Sequence, residues 1–486
     1  PRGAVATTPA AFNNSAPLPV PAKQSIAVLP LTNESGDSRQ QYFSDGLSEG
    51  LITALAQSDK LKVIGWHSAF QFRNSNEDSK AIGRKLGVAH LLLGSVRHAG
   101  DTVRVNLELI NVGDGSALWT QQYDRPYKDL FQLQDDITSA VASALKARLI
   151  DARLPAAQSD RPLSGRLDAY AAFLQGVFQR RRGTEADQLI AIAQFKSAIN
   201  LDPDYALAHA ELSRSLTTLA SQYTGGQAAT PLYEQARSEA DRALELDPNL
   251  AVAHLARGYR LLSEQFDWRS AEFEFREAIR LAPNDYAAQG QLGHVLDVKG
   301  QPALSQPLFE AALADDPLSA SWNLSLASNL MSLGRFDGAE KHLRRAIELK
   351  PGAVGTYGQL TVLEILRGRP QAALVAARQE QPGPWREIAE TQALQVAGRP
   401  AAADAALAQL VAKRSDFAAY QIAQVYALRH DADQTFAWLQ RAHAAGDPGV
   451  LGLLTDPLLA PFRKDPRFAE LTRKLGLPSP SAPGPK

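Results

Sequence analysis

The side chains able to do chemistry in this sequence are nine histidines, at 67, 90, 98, 209, 254, 294, 342, 430 and 443, and a large set of carboxylates. A helical metal pair needs two ligands three or four residues apart, and no two of these histidines stand at that spacing. The nearest approach to a ligand cluster is His430-Asp431-Ala432-Asp433, which reads more simply as a polar turn between helices. Glu34, Asp37 and Asp45 surround an acidic loop behind the first apolar run. The ligand spacing of a calcium loop is missing there, and acids at a helix start suit the helix dipole. Ser44, Ser48 and His67 offer a nucleophile and a base by type alone, with no GxSxG elbow to position them. No GxxxxGK[ST], GxGxxG or HExxH motif occurs, and cysteine is absent, which removes thiolate chemistry and disulfides. The expectation is a protein without catalytic residues, metal ligands or cofactor.

The charge balance narrows the partners. Lysine plus arginine number 51 against 52 aspartates and glutamates, for a net charge of −1. The densest basic run is Arg180-Arg181-Arg182. A chain of this balance is poorly suited to holding nucleic acid by its phosphates. No stretch of 18 apolar residues is present to span a bilayer. The chain opens at Pro1 and its one methionine is Met331, so a processed or truncated product is expected. A cysteine-free chain tolerates oxidising and reducing compartments alike.

Several elements must position whatever binds here. Residues 1–24, rich in Pro, Ala, Ser and Asn, read as a linker. A strand is predicted over Ser25–Leu31, and Ser38 with Gln41 reads as a capping box for a helix carrying Leu47, Leu51, Ile52 and Leu55. A second strand follows at Leu61–Gly65 and a short helix at Lys80–Leu86. Three strands are predicted over His90–Arg97, Thr102–Ile110 and Ser116–Tyr123. In the middle one, Val103, Val105, Leu107 and Leu109 alternate with polar residues, giving one buried and one wet face. Trp66, Phe70 and Trp119 read as core aromatics, and an amphipathic helix over 131–150 closes the unit. The order predicts an α+β, or mixed α/β, domain over 25–153.

Strand signals then stop. Five segments end alike, AINLDP, ALELDP, AIRLAP, ALADDP and AIELKP, with prolines at 203, 248, 283, 317 and 351. Their spacings of 45, 35, 34 and 34 fit the 34-residue period of tetratricopeptide (TPR) helix pairs. The physical basis is a small residue where antiparallel helices cross, a large one such as Phe309 beside it, and a proline that ends the second helix. Degenerate pairs around Gly368 and Gly398 and a final pair over 417–444 extend the array. An all-α TPR superhelical solenoid of about eight helix pairs is therefore predicted over 165–446. A capping segment (447–477) and a disordered tail (478–486) complete the chain.

The segments SIAVLPLTNESGDSRQQYFSDGLSEGLITAL, LKVIGWHSAF and AIGRKLGVAHLLLGSVRHAGDTVRVNLELINVGDGSALWTQQYDR resemble the TolB-like amino-terminal domain that precedes TPR repeats in bacterial signalling proteins. The closing TDPLLAPFRKDPRFAELTRKLGL resembles the end of the same proteins. The resemblance implies that another module precedes this region. The commonest is a winged helix-turn-helix domain with one transmembrane helix, as in CadC-type regulators; others are a class III nucleotide cyclase or a kinase. The first case implies a periplasmic sensor tethered upstream of Pro1, with no nucleic-acid contact of its own. The second implies a regulatory half, cytoplasmic in the alternative. A free-standing TPR adaptor of the envelope is a third reading, and a homodimer is compatible with each.

The candidate partner surface is the concave face of the solenoid. Carrying the TPR register over residue by residue places Arg214, Tyr259, His294, Asp297, Met331 and Ile365 on it. Such a lining suits a peptide or a loop of another protein.

Overall fold

The computed structural model describes residues 22–56, 61–149, 160–224, 226–415 and 418–478. Most of the expected amino-terminal linker, nearly all of the tail and Phe417 lie outside them.

The chain begins with a mixed sheet. Strand β1 (Ala22–Val28) is followed by a two-residue β2 (Thr32–Asn33), helix α1 (Gln41–Ala56), the short β3 (Lys62–Val63) and helices α2 (Trp66–Phe70) and α3 (Ser79–Leu86). Three long strands, β4 (Val88–Ala99), β5 (Thr102–Asn111) and β6 (Ala117–Pro126), lead to helix α4 (Leu130–Leu149). The sheet order is β3-β1-β4-β5-β6, parallel around β1 and antiparallel from β4 onward, with β2 pairing β4. In β5, Val103, Val105, Leu107 and Leu109 are buried while Arg104 faces water and pairs across the strand with Asp124 at 2.6 Å. Leu133, Ile137, Val141 and Leu145 make the buried stripe of α4.

Two local readings change. The expected capping box at Ser38 gives way to Asp37, which accepts from the Arg39 amide at 2.9 Å and starts a 3-10 turn ahead of α1. Helix α2 escapes the sequence pattern because five residues are too few to show a period.

Beyond residue 160 the described chain is helical. The hairpins are α5 (Leu167–Arg182) with α6 (Glu185–Leu201), α7 (Ala206–Thr218) with α8 (Thr230–Leu246), α9 (Ala251–Gln265) with α10 (Trp268–Leu281) and α11 (Tyr286–Val298) with α12 (Pro302–Asp315). They continue with α13 (Ala320–Ser332) and α14 (Phe336–Leu349), α15 (Thr356–Leu366) and α16 (Pro370–Gln379), α17 (Pro384–Val396) and α18 (Pro400–Arg414), and α19 (Ala419–Leu428) and α20 (Ala432–Ala444). Two 3-10 turns and helix α21 (Pro466–Lys474) follow.

The repeat sequence acts through one recurrent geometry. At each LDP-like end the residue before proline leaves the helix and its amide bonds the carbonyl of a buried alanine: Ala198, Ala243, Ala278, Ala312 or Ala346. Proline then forbids continuation, having no N–H and a ring that disfavours helix before it. In three hairpins a first-helix glycine takes a phenylalanine ring from the second: Gly176 with Phe195, Gly258 with Phe275, Gly293 with Phe309. All three rings are fully buried. The extra residues of the second hairpin form a π turn (Leu219–Thr224) and a 3-10 turn (Gly226–Ala229).

Candidate functional site

The six positions on the expected groove divide among three environments. Arg214 on α7 joins an ion-pair cluster: it reaches Glu211 at 2.8 Å, and Arg180 of α5 meets the same carboxylate at 2.9 Å. Burial works against the charge of Glu211, yet Arg180, Arg214 and Arg181 together hold its carboxyl below its usual value. His294 and Asp297 share α11. The His294 ring stacks on Trp322 of α13 and meets Phe309 edge-on, and burial pushes its imidazole down to about 4. Asp297 accepts from Ser305 and, at 3.0 Å, from Asn329, while burial raises its carboxyl to about 6. Tyr259 is half-buried on α9. Met331 and Ile365 are buried in separate apolar clusters.

Two other parts of the chain cover the solenoid. The first is the front domain. Helix α1 lies on α5, with Leu174 seated against Gly46. The segment around α2 reaches the turns at the far side of hairpins three and four. The Gly65 amide donates to the Asp315 carbonyl at 2.7 Å, and the Tyr286 ring packs on Gly65. Ser68 donates to the fully buried Asp316 carboxylate and accepts from the Leu318 amide at 2.8 Å. Gln71 donates to the Leu318 carbonyl at 2.7 Å, His67 faces Asp316 at 3.3 Å, and Asn284 donates to the Ala56 carbonyl at 2.8 Å. Arg181 pairs with Glu49 and lies 4.2 Å over the Trp66 ring, and burial lowers its guanidinium to about 10. Of the basic run, Arg181 is thus spent at this junction, Arg180 pairs with Glu211 inside the solenoid, and Arg182 pairs with Asp187 at 2.9 Å.

The second is the segment after α20. Leu454 lies over Gly300 in the α11–α12 turn, and Trp268 at the start of α10 donates to the Gly476 carbonyl at 3.2 Å. Leu458 shares the apolar cluster of Ile365, Ala389 and Ala393, on α15 and α17. Asp456 accepts from the Tyr420 hydroxyl at 2.8 Å and from Gln424 at 2.6 Å, both on α19. Residues 453–459 therefore run across first helices of hairpins that are distant in sequence. The signal for this was three Asp-Pro steps nine residues apart, at 447, 456 and 465.

His209 and His254 are held by structural bonds. His209 bridges the Pro203 carbonyl and Glu239, and His254 repeats the device with Pro248 and Glu274. Gln289 occupies the same place in the next hairpin, bonding the Pro283 carbonyl at 2.8 Å. Asp431 caps α20, and Asp433 pairs with Arg467 at 2.7 Å. The Ser48 hydroxyl donates to the Ser44 carbonyl and accepts from the Leu31 amide. Asp45 pairs with Arg73 at 2.5 Å. No group of three metal-binding side chains stands together among the described residues, and no helix there is long and apolar enough to cross a membrane.

The tetratricopeptide repeat model matches residues 323–352, the hairpin of α13 and α14. A curated protein of Rhizobium meliloti (strain 1021), named "Putative adenylate cyclase 3", is 34% identical over 242 residues, 49% of this chain and 40% of the relative. The chain thus spans about two-fifths of the length of the curated relative it matches. Among solved structures, the type IV pilus biogenesis factor PilW is 25% identical with a TM-score of 0.36, over 42% of this chain and 93% of that one. YrrB, a TPR protein with an unusual peptide-binding site, is 20% identical with a TM-score of 0.30, over 44% and 96%. The chain carries TPR-like helical repeats behind a small sheet region, an arrangement used for protein interaction.

Proposed function

We propose that this chain is the non-catalytic, partner-binding regulatory region of a larger bacterial signalling protein whose output module is a nucleotide cyclase. The observation that carries this reading is the 34% identity to a cyclase-named protein of which the match spans only two-fifths. In this reading the front unit is a TolB-like domain, and the solenoid takes a protein or peptide through positions such as Tyr259, His294 and Asp297. The polar junction of α2 with hairpins three and four suits a coupling role. Its hydrogen bonds and ion pairs can be exchanged for water at small net cost, while α1 and α4 stay joined to α5 by the apolar core they share. A bound partner that favours one placement of the front domain would shift the output by that difference in affinity.

A second reading, a CadC-type winged-helix regulator with this region in the periplasm, rests on the sequence resemblance. The sequence reading placed it first; the cyclase-named relative reverses the order. The coding sequence ahead of Pro1 separates them: a cyclase domain supports the first, a winged helix and one apolar helix the second, and an initiator methionine adjoining Pro1 sinks both. Partner binding is tested by capture with the wild-type chain and with Tyr259→Ala/Asp297→Ala. Loss of the captured protein is expected, and unchanged capture removes these two positions from the binding surface.

A further inference from the structure

Residues 447–478 have the chemistry of a bound peptide more than that of a ninth hairpin. They form two 3-10 turns and one short helix, not an antiparallel pair. Each Asp-Pro step is locally self-sufficient: one carboxylate oxygen of Asp447, Asp456 and Asp465 takes the amide two residues on, from Gly449, Leu458 and Arg467. That leaves the second oxygen of Asp447 and of Asp456 for the solenoid. Asp447 takes the Tyr420 amide at 3.0 Å, and Asp456 takes the Tyr420 hydroxyl and Gln424. Tyr420 and Gln424 stand four apart on one face of α19, as neighbours on a helix surface must to hold one ligand group. Gln424 also accepts from Gln392 of α17 at 3.0 Å, which orients its amide toward Asp456. On either side of the carboxylate, Leu454 and Leu458 enter two different apolar clusters: Leu454 sits over the α11–α12 turn in a core shared by α9–α11 and α18–α20, and Leu458 in one on α15–α17. An oriented polar pair flanked by two apolar pockets is how a short peptide segment is read.

We propose that the inner face of α11, α15, α17 and α19 is a peptide-binding site occupied in cis by the chain's own Leu453–Leu459. The peptide it takes is a turn-forming one with a half-buried aspartate between leucines, Leu-x-Asp-Pro-Leu in this chain. The inference deepens the partner-binding reading and rests on it. A partner with this chemistry competes with the tethered segment, whose linkage gives it a high effective concentration, so the full chain binds in trans only once the segment is released.

The test uses the full chain and, as probe, a labelled synthetic peptide of residues 450–464 read by fluorescence anisotropy. The wild type is expected to bind it weakly. The variant Asp456→Ala/Leu458→Ala, which loosens the tethered copy, is expected to bind roughly tenfold or more tightly. Adding Tyr420→Phe and Gln424→Ala to that variant is expected to abolish the gain. A loosened variant that keeps the wild-type helical content yet binds no better overturns the proposal. Should that variant lose its helices, hydrogen exchange on the wild type decides. Amides of 450–464 opening ahead of α15–α19 support a displaceable ligand, and a single shared opening overturns it. The probe is the chain's own peptide, so failure here leaves the wider partner reading standing. Wild-type capture of no partner would sink that reading alone.

Discussion

Glu211 is the residue on which the charge of the α5–α7 cluster converges, with Arg180 and Arg214 both on its carboxylate and Arg181 near. Removing it strands two half-buried cations. Glu211→Ala is expected to cost about 3–5 kcal/mol, read as a lowered urea midpoint, whereas Arg180→Met/Glu211→Leu should recover much of that. An equal loss in both would show that the pair is not the source. Asp297 makes a different prediction. Burial lifts its folded value to about 6, with the Ser305 and Asn329 hydrogen bonds opposing. The folded protein then holds the proton more firmly than the unfolded one. Its contribution to stability must fall as pH rises from about 4 to about 6 and stay level above. Asp297→Asn is expected to remove that slope from the unfolding midpoint against pH, and a variant with the wild-type slope would contradict the assignment.

At the scale of helices and strands, the repeat was legible because its causes are local. A glycine 16 to 19 residues ahead of its phenylalanine partner and a proline closing each pair recur at nearly regular spacing. Gly258→Ala puts a methyl carbon 2.6 Å from the Phe275 ring, so the ring must leave its rotamer or the helices must part. A loss of about 1–3 kcal/mol is expected from denaturant titration, and Gly334→Ala, with open space around it but a left-handed backbone, should lose about 1 kcal/mol from strain alone. The strands of the front sheet were legible for the same reason: alternation in β5 is a two-residue signal. The candidate site was not. Trp66 reads as a core aromatic until Arg181, 115 positions later, is seen to cover it. Met331 and Ile365 fit the groove register, yet both lie buried, Ile365 in one cluster with Leu458. Contacts between residues so far apart leave no period for a sequence pattern to show.

Across the whole molecule, the solenoid is engaged from both ends of the chain. The front domain holds the turns at Asp285–Tyr286 and Asp315–Leu318, while the carboxy-terminal segment holds the turns at Trp268 and Gly300 and the inner face of α19. Both attachments meet on hairpins three and four. A partner that displaces the carboxy-terminal segment would therefore act on the same hairpins that carry the front domain, which is a physical route from binding to output. The junction variant Trp66→Ala/Gln71→Ala removes the Arg181 stack and the Leu318 hydrogen bond without touching the proposed cyclase module. The most direct test of the regulatory reading is cyclic-nucleotide formation from ATP by the full-length gene product, by that junction variant of it and by the present chain alone. The account predicts no turnover by the chain alone and a severalfold change in output in the junction variant. Turnover by the isolated chain, or full-length output indifferent to the junction, would contradict it.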